Sequence, residues 1–227
     1  MQLENQFNGQ IYSKNSVMPM KSKIHILISV ALTLFTVGAN ASTFEVLRDD
    51  FLQKIGPDRQ KALTAIINSD DDYKKASNYM NDSSYMLKMP ELNFHGQKIT
   101  GRYMPDCEKA LPYFINSFSK KNNTLSAYLG LHCINSDAFL KKSSETMKQK
   151  RALSEGLYKV EKQLCQSYIS YGDVLMNGVA GTPDPAKAIK VYDEAKLRCF
   201  RFANDWEKRV IDTKLEQAKY KNRLPSK

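Results

Sequence analysis

One segment occurs twice in the second half of the chain, and this duplication is the strongest constraint on the fold. Residues 101–114 read GRYMPDCEKALPYF, and residues 178–195 read GVAGTPDPAKAIKVYDEA. Each copy has a glycine-containing loop, an aspartate and, three residues later, a Lys-Ala pair. Asp106 and Asp184 lie 78 residues apart, which is two periods of about 39 residues. A period of this length is typical of stacked helix pairs, which usually bind other molecules rather than transform them.

Apolar residues at spacings of three and four predict that the rest of the chain is also largely helical. We predict helices over residues 44–55, from Pro57 to Asn68 and after Asp70–Asp72. Further helices are predicted from Asp106 to the turn at 120–123, from there to Asn135, over 153–175 as one stripe, from Asp184 with Pro185 in its first turn, and over 202–215. Asp70–Asp72, Asp106 and Asp184 are the candidate N-caps, because carboxylates favour helix N-termini. A middle copy of the repeat near residue 145 is degenerate, because residues 137–152 are polar and weakly patterned.

Residues 87–105 break the helical pattern. Their apolar residues are interleaved with Pro90, Gly96 and Gly101, which interrupt any regular element. A small hairpin turning at His95-Gly96 is one interpretation, and a long ordered loop is the one we favour.

The sequence near the N-terminus has the order of a secretory signal peptide. Lys21 and Lys23 precede the almost entirely apolar run 24–37, and Ala39-Asn40-Ala41 follows it. We therefore predict a signal peptide over residues 18–41, cleaved after Ala41. The apolar run is shorter than the roughly 20 residues of a membrane span, so a single anchoring helix is the less favoured alternative.

Residues 1–17 are polar and fit no signal. We expect them to be an upstream extension, or translation to start at Met18 or Met20 instead of Met1.

The charge of the chain bears on its partners. Removing residues 1–41 would change the formal charge from +10 to about +8. We predict a periplasmic or secreted protein with no stable transmembrane anchor after cleavage, and nucleic acid is an unsuitable partner outside the cytoplasm. An anionic envelope component could attract such a surface, although the basic residues are spread along the chain and also suit a merely well-solvated surface.

All four cysteines follow residue 41, and an even number in an exported chain suggests disulfide bonds. In an antiparallel helix pair, the start of the first helix lies beside the end of the second. The midpoint of Cys107 and Cys133 falls in the 120–123 turn, and that of Cys165 and Cys199 falls in the 178–183 loop. The pairs Cys107–Cys133 and Cys165–Cys199 are therefore predicted, with free buried thiols as the alternative.

These motifs together resemble the Sel1-like repeat, a subclass of the tetratricopeptide-like helical repeats. The residues that match the first copy in order are Gly101, Asp106, Lys109, Ala110, Tyr113, Ala127, Leu129 and Gly130. Those that match the second are Gly172, Gly178, Asp184, Lys187, Ala188, Tyr192 and Ala195. The match covers about half of the chain after residue 41, and the first 60 residues of that part do not match.

The resemblance implies an all-α fold in which stacked antiparallel helix pairs form a short α-solenoid. The corresponding organisation is an N-terminal helical region and loop at 42–100, Sel1-like helix pairs at 101–200, and a basic C-terminal helix and tail at 201–227. It also implies a protein-binding adaptor or regulator of the cell envelope, with no cofactor and no catalytic residue, since the repeat carries none. A cell-wall- or glycan-directed protein, as an enzyme inhibitor or less readily a hydrolase, is the alternative. A structural part of a secretion or surface system is a third hypothesis.

The residues themselves offer little catalytic chemistry. His95 has no cysteine or aspartate at metal-ligand spacing, and no Cys-x-x-Cys pair occurs. His132 precedes Cys133 near a helix end, where a favourable position at a helix C-terminus explains it. No nucleophile has an evident base and orienting partner, so the sequence predicts a non-enzyme without a metal site. Among the abundant aromatic residues, Tyr128, Tyr168 and Tyr171 are the candidates for a binding surface, because tyrosine is common where a rigid surface binds a peptide.

Overall fold

The computed structural model describes residues 43–81, 103–136 and 143–224, together with the strand residues 87–88, 92–94 and 97–99. Residues Ser42–Lys227 form one compact unit. The helices of the described part are α1 (Thr43–Lys54), α2 (Pro57–Asn68), α3 (Asp71–Asn81), α4 (Cys107–Lys121), α5 (Thr124–Ser136), α6 (Ser144–Val160), α7 (Cys165–Asn177), α8 (Pro185–Arg198) and α9 (Asp205–Arg223). The predictions for residues 1–17 and 18–41, and the motif residue Gly101, lie outside the described residues.

The helices pack in the order expected of stacked antiparallel pairs. From α3 to α9, each helix contacts the next, and the pairs α4 with α6 and α7 with α9 are also in contact. Contacts between near neighbours in the sequence, repeated along the chain, are the mark of a solenoid-like stack. The predicted all-α fold of stacked helix pairs is confirmed.

Three N-caps show that the repeat is continuous. Asp106, Ser143 and Asp184 each accept a hydrogen bond from the backbone N–H three residues later, which satisfies one of the unpaired donors at a helix start. The two aspartate caps were predicted. The intervals between the caps are 37 and 41 residues, close to the predicted 39. The middle copy is therefore present in the backbone as α6, although its sequence lacks the Lys-Ala pair.

Small residues allow helices of the stack to approach closely. A Cβ atom added to Gly130 would lie 3.1 Å from the Leu153 side chain, and one added to Gly172 would lie 2.4 Å from the Tyr192 ring. Ala110 and Ala188 are fully buried in the facing helices. The other motif residues with buried side chains are Asp106, Ala127, Leu129, Tyr192 and Ala195.

The aromatic motif residues of the two copies, Tyr113 and Tyr192, stand at different distances from their caps. Phe114, not Tyr113, stands eight residues after its cap, as Tyr192 does after Asp184. Phe114 and Tyr192 are both fully buried. Tyr113 is half-buried and stacks on Tyr79, with ring centroids 5.9 Å apart.

Both predicted disulfide bonds are present. Cys107 at the start of α4 is bonded to Cys133 near the end of α5, and Cys165 at the start of α7 is bonded to Cys199 after the end of α8. The Cα atoms are 5.3 Å apart in each bond. Each bond joins the open end of one helix pair, as the symmetric-hairpin argument required. The described residues contain no free cysteine.

The predicted loop over residues 87–105 was wrong, because this segment forms two short antiparallel strand pairs. β1 (Leu87–Lys88) pairs with β4 (Tyr103–Met104), and β2 (Leu92–Phe94) pairs with β3 (Gln97–Ile99). The antiparallel pairing of β2 with β3 agrees with the hairpin interpretation. The residues proposed for its turn, His95 and Gly96, lie outside the described part. The strands are too short to give an alternating apolar pattern that a sequence could display.

The single helix predicted over 153–175 was also wrong, since α6 ends at Val160 and α7 begins at Cys165. Between them, Glu161 is buried and accepts hydrogen bonds from Arg59 Nε at 2.9 Å and Thr124 Oγ1 at 2.5 Å. These contacts from α2 and α5 fix the turn. Residues so distant in sequence leave no signal in a local periodicity.

Helix α9 exists as predicted, but its buried face differs from the predicted one. Asn204 and Glu207 form a capping box at its start, and the buried residues of the helix are Glu207, Ile211, Leu215 and Ala218. The aromatic residues that predicted the helix, Phe202 and Trp206, are 45% and 59% exposed.

Helix α1 lies across alternate helices of the stack. It contacts α3 and α5, and Phe44, Phe51 and Ile55 of this region are buried. Its last residue, Lys54, pairs with Glu207 at the start of α9 at 3.1 Å. The first and last helices of the described chain are thus joined by an ion pair in which only 4% of the Glu207 side chain is exposed.

Candidate functional site: the cleft between α5 and α7

A cleft of about 220 Å³ separates α5 from α7. Its α5 wall consists of residues at spacings of three and four, and its α7 wall of two residues one turn apart. The lining residues are Tyr128, Leu131, His132, Asn135, Gln166 and Ser170. Helical spacing places each set on one face of its helix, so the two walls face each other across the gap.

Helix α1 closes one side of the cleft at Tyr128. The ring centroids of Phe51 and Tyr128 are 5.0 Å apart, so the ring is packed in place before any ligand arrives. Burial raises the pKa of Tyr128, and Asp50 and Glu207 raise it further while Lys54 opposes them. The phenol is therefore neutral at physiological pH and can both donate and accept a hydrogen bond.

His132 lies one turn further along α5 and is half-buried. Burial lowers its pKa from the ordinary value of 6.5, because the charged imidazolium is disfavoured away from water. The neutral ring has one donor and one acceptor nitrogen. Next to it, the amides of Asn135 and Gln166 add donors and acceptors of both kinds.

The cleft therefore presents neutral polar groups and one apolar side chain. Such groups match the N–H and C=O of a peptide backbone more closely than they match a phosphate or carboxylate, which would require arginine or lysine. The volume is also below the roughly 300–1,000 Å³ of small-molecule sites. The cleft suits a short stretch of chain or a single side chain, not a cofactor.

Only one of the three candidate tyrosines lines this cleft. Tyr168 and Tyr171 are 0% and 2% exposed, so their assignment to a binding surface was wrong. They pack against Tyr158, with ring centroids 5.3 Å and 4.8 Å from it. Tyr168 donates a hydrogen bond to the Lys162 carbonyl oxygen at 3.1 Å, which satisfies its hydroxyl inside the core.

The tyrosine cluster around Tyr158 serves packing. Tyr158 donates a hydrogen bond to Glu194 at 2.5 Å, and Lys162 Nζ lies 3.9 Å from its ring centroid. Burial, with the hydrogen bond to Glu194, raises the pKa of Tyr158 to about 12. A phenol held so firmly in its protonated form is unsuited to proton transfer at neutral pH.

Sequence reasoning missed His132, Asn135, Gln166 and Ser170 as site residues. His132 and Asn135 lie four and seven residues after Tyr128 on one helix, and that spacing could have grouped them. Gln166 and Ser170 gave no such signal, because their proximity to α5 depends on how α6 returns the chain.

A second groove lies on α9 alone and is lined by Asp212, Thr213, Glu216, Gln217 and Tyr220. Because all its residues belong to one helix, it has no opposing wall. The α5–α7 cleft is therefore the better candidate site.

Within residues 43–81, 103–136 and 143–224, no group of histidines, cysteines or carboxylates is arranged to hold a metal ion. Over the same ranges, every helix is too short or too polar to cross a bilayer. No protein family matches this chain, and neither a curated protein nor a solved structure matches it.

We expect the buried imidazole to make folding stability depend on pH. The pKa of His132 is lowered in the folded state, so the unfolded chain takes up its proton first as the pH falls below about 6.5. The contribution of His132 to folding stability is therefore present above that pH and is lost progressively as the pH falls. In thermal unfolding between pH 7.5 and pH 5, His132→Gln should lose less stability than the wild type. Parallel decreases in both proteins would contradict this assignment.

Proposed function

We propose that this chain is an exported Sel1-like repeat protein that acts as an adaptor or regulator in the cell envelope by binding a segment of another protein. The observation that carries the proposal is the α5–α7 cleft, whose walls offer hydrogen-bond donors and acceptors without net charge. The fold supports it, since stacked helix pairs supply a rigid frame for such a cleft. The two disulfide bonds suit an oxidising compartment.

The nature of the cleft favours an extended peptide over a glycan. Sugar rings commonly stack on exposed aromatic faces, whereas the one aromatic ring of this cleft, Tyr128, is already packed against Phe51. Peptide backbone groups need alternating donors and acceptors, which Asn135, Gln166 and Ser170 provide.

The proposal is tested by photo-cross-linking in cells with a benzophenone amino acid at Gln166. The control position is Lys148, an exposed residue of α6 outside the cleft. We expect one protein to be captured from Gln166 and not from Lys148. Equal capture from both positions, or none from either, would count against a protein-binding cleft. Retention of the chain on purified peptidoglycan that disappears in salt, without a cross-link, would favour the cell-wall alternative.

Once the partner is captured, the double variant Asn135→Ala/Gln166→Ala measures how much the two side-chain amides contribute to binding it. Each lost hydrogen bond weakens binding by about 1 kcal/mol, so the dissociation constant should rise by roughly 30-fold. The melting temperature should change little, because neither side chain is fully buried. Lys148→Ala is the matched control. A binding loss in the control as large as in the double variant would contradict the assignment.

Export is tested separately on the same strain. Sequencing the N-terminus of the envelope form should find Ser42 as its first residue. A chain that retains residues 18–41 would contradict cleavage after Ala41.

A further inference from the structure

The turn between α8 and α9 groups three of the six exposed large hydrophobic side chains of the described residues. Leu197 is 84% exposed, Trp206 is 59% exposed and Phe202 is 45% exposed. They lie in and beside the turn that connects α8 to α9, and none of them lines either cleft described above. We call these three residues, with Arg198, Arg201 and Arg209, the turn patch.

The turn patch is positively charged. Arg198, Arg201 and Arg209 are exposed, and within the described part of the chain none of them has an ion-pair partner within 4 Å. One acidic residue nearby, Asp205, has a side chain that is 90% exposed and lies 3.9 Å from Lys208. Two others are engaged more closely by other groups. Glu207 forms an ion pair with Lys54 at 3.1 Å, and Glu194 accepts a hydrogen bond from the Tyr158 hydroxyl at 2.5 Å.

One guanidinium group is already placed over an aromatic ring. Arg201 Cζ lies 4.5 Å from the Phe202 ring centroid. In this arrangement the apolar ring and the cation point to the same side of the turn. A surface with phosphate groups next to hydrocarbon could bind the guanidinium group and bury the apolar ring at the same time.

We propose that the turn patch docks on an anionic lipid surface. Leu197, Phe202 and Trp206 enter the headgroup region, where indole rings are favoured. The three arginines bind lipid phosphates, for which the planar guanidinium group is well suited. Apolar side chains that protrude from a turn need a matching cavity on a protein partner, whereas a lipid surface adapts to them. This inference does not depend on the α5–α7 cleft.

The chain contains a single tryptophan, so its fluorescence reports on the patch directly. With vesicles of phosphatidylcholine and phosphatidylglycerol in equal parts, the emission of Trp206 should shift to shorter wavelength. Vesicles of phosphatidylcholine alone should give no shift. Added salt should weaken the binding, because exposed charges are screened within about 10 Å at 0.1 M. An unshifted emission from chain that is bound to the vesicles would overturn the proposal.

Co-sedimentation with the same vesicles then separates charge from apolar insertion. The triple variant Arg198→Gln/Arg201→Gln/Arg209→Gln should bind about 100-fold more weakly, at about fivefold per arginine. Trp206→Ser should bind roughly tenfold more weakly. The matched controls are Tyr220→Ser and Arg223→Gln, because both residues are exposed at the opposite end of α9. They should bind like the wild type.

All the substituted side chains are exposed, so every variant should melt at the wild-type temperature. If the controls lose binding as much as the patch variants, the attraction is a general property of the basic chain and the proposal is wrong. If the wild type does not bind the anionic vesicles, the patch is not a lipid site, and a protein partner becomes the explanation for its exposure.

Discussion

Replacing Cys165 and Cys199 together by alanine should lower the free energy of unfolding by about 3–4 kcal/mol. The bond closes a segment with a sequence separation of 34 residues, and its removal gives the unfolded chain back the freedom of that loop. Both sulfur atoms also lie in the buried cluster formed by α7, α8 and α9. Urea unfolding of the purified chain under non-reducing conditions measures the difference.

The first bond provides the matched comparison. Cys107 and Cys133 have a sequence separation of 26 residues, so the same substitution there should cost slightly less. A reducing agent should destabilise the wild type by more than it destabilises either double variant. Peptide mapping that joined Cys107 to Cys165 or Cys199 would contradict the helix pairing itself.

Replacing Tyr192 by alanine should destabilise the last helix pairs by about 3–5 kcal/mol. The side chain is fully buried, and its ring fills the space over Gly172 on α7. Its hydroxyl donates a hydrogen bond to Asp173 at 2.9 Å. Burial, reinforced by Asp173, raises the pKa of Tyr192, so the phenol stays neutral in this site. Thermal and urea unfolding measure the loss.

Two further variants separate the ring from the hydroxyl. Tyr192→Phe keeps the ring and should lower the free energy of unfolding by only about 1 kcal/mol. Asp173 would still form its ion pair with Lys214, whose Nζ lies 2.9 Å away. Gly172→Ala should be destabilising in the wild type, because the new Cβ would lie 2.4 Å from the ring. The same change should be nearly neutral in Tyr192→Ala, where the ring is absent. Additive effects of the two changes would show that the residues are not in contact.

The helix starts could be predicted because their signals are local. Asp106 and Asp184 cap backbone N–H groups three residues away, and Pro57 and Pro185 occupy first turns. Asn122 and Gly178 end their helices with positive φ angles of 53° and 65°, conformations that asparagine and glycine adopt more readily than other residues. A short sequence window contains both partners of each of these interactions.

The buried tyrosines could not be distinguished from surface tyrosines in this way. Tyr128 and Tyr168 both lie on largely buried helices, and both have polar and apolar neighbours in sequence. Tyr168 is buried because Tyr158 of the preceding helix and Lys162 of the turn cover it. Tyr128 meets Phe51 of α1, which is 77 residues earlier in the chain. Burial of a phenol depends on such distant neighbours.

The buried polar network around Asp70 shows the same limit. Asp70 was predicted as an N-cap, and one of its carboxylate oxygens does accept a hydrogen bond from the Tyr73 backbone N–H at 3.1 Å. Its other carboxylate oxygen accepts hydrogen bonds from Ser117 Oγ at 2.6 Å and from Asn123 Nδ2 at 3.1 Å. Ser117 belongs to α4, and Asn123 to the turn that follows it. Burial alone would raise the pKa of Asp70, but these hydrogen bonds outweigh it and lower the pKa. The cap is local and was foreseen, whereas the network is not local.

The sequence by itself determined the helical class, the period of the repeat and the cysteine pairing, because caps, apolar spacing and hairpin symmetry act over one or two helices. Only the tertiary structure decided which side chains line the α5–α7 cleft and which aromatic residues remain exposed at the turn after α8. Those outcomes depend on how α1 lies across the stack and how each pair is placed against the next. Such packing is set by contacts between residues many helices apart, which leave no pattern in the order of the amino acids.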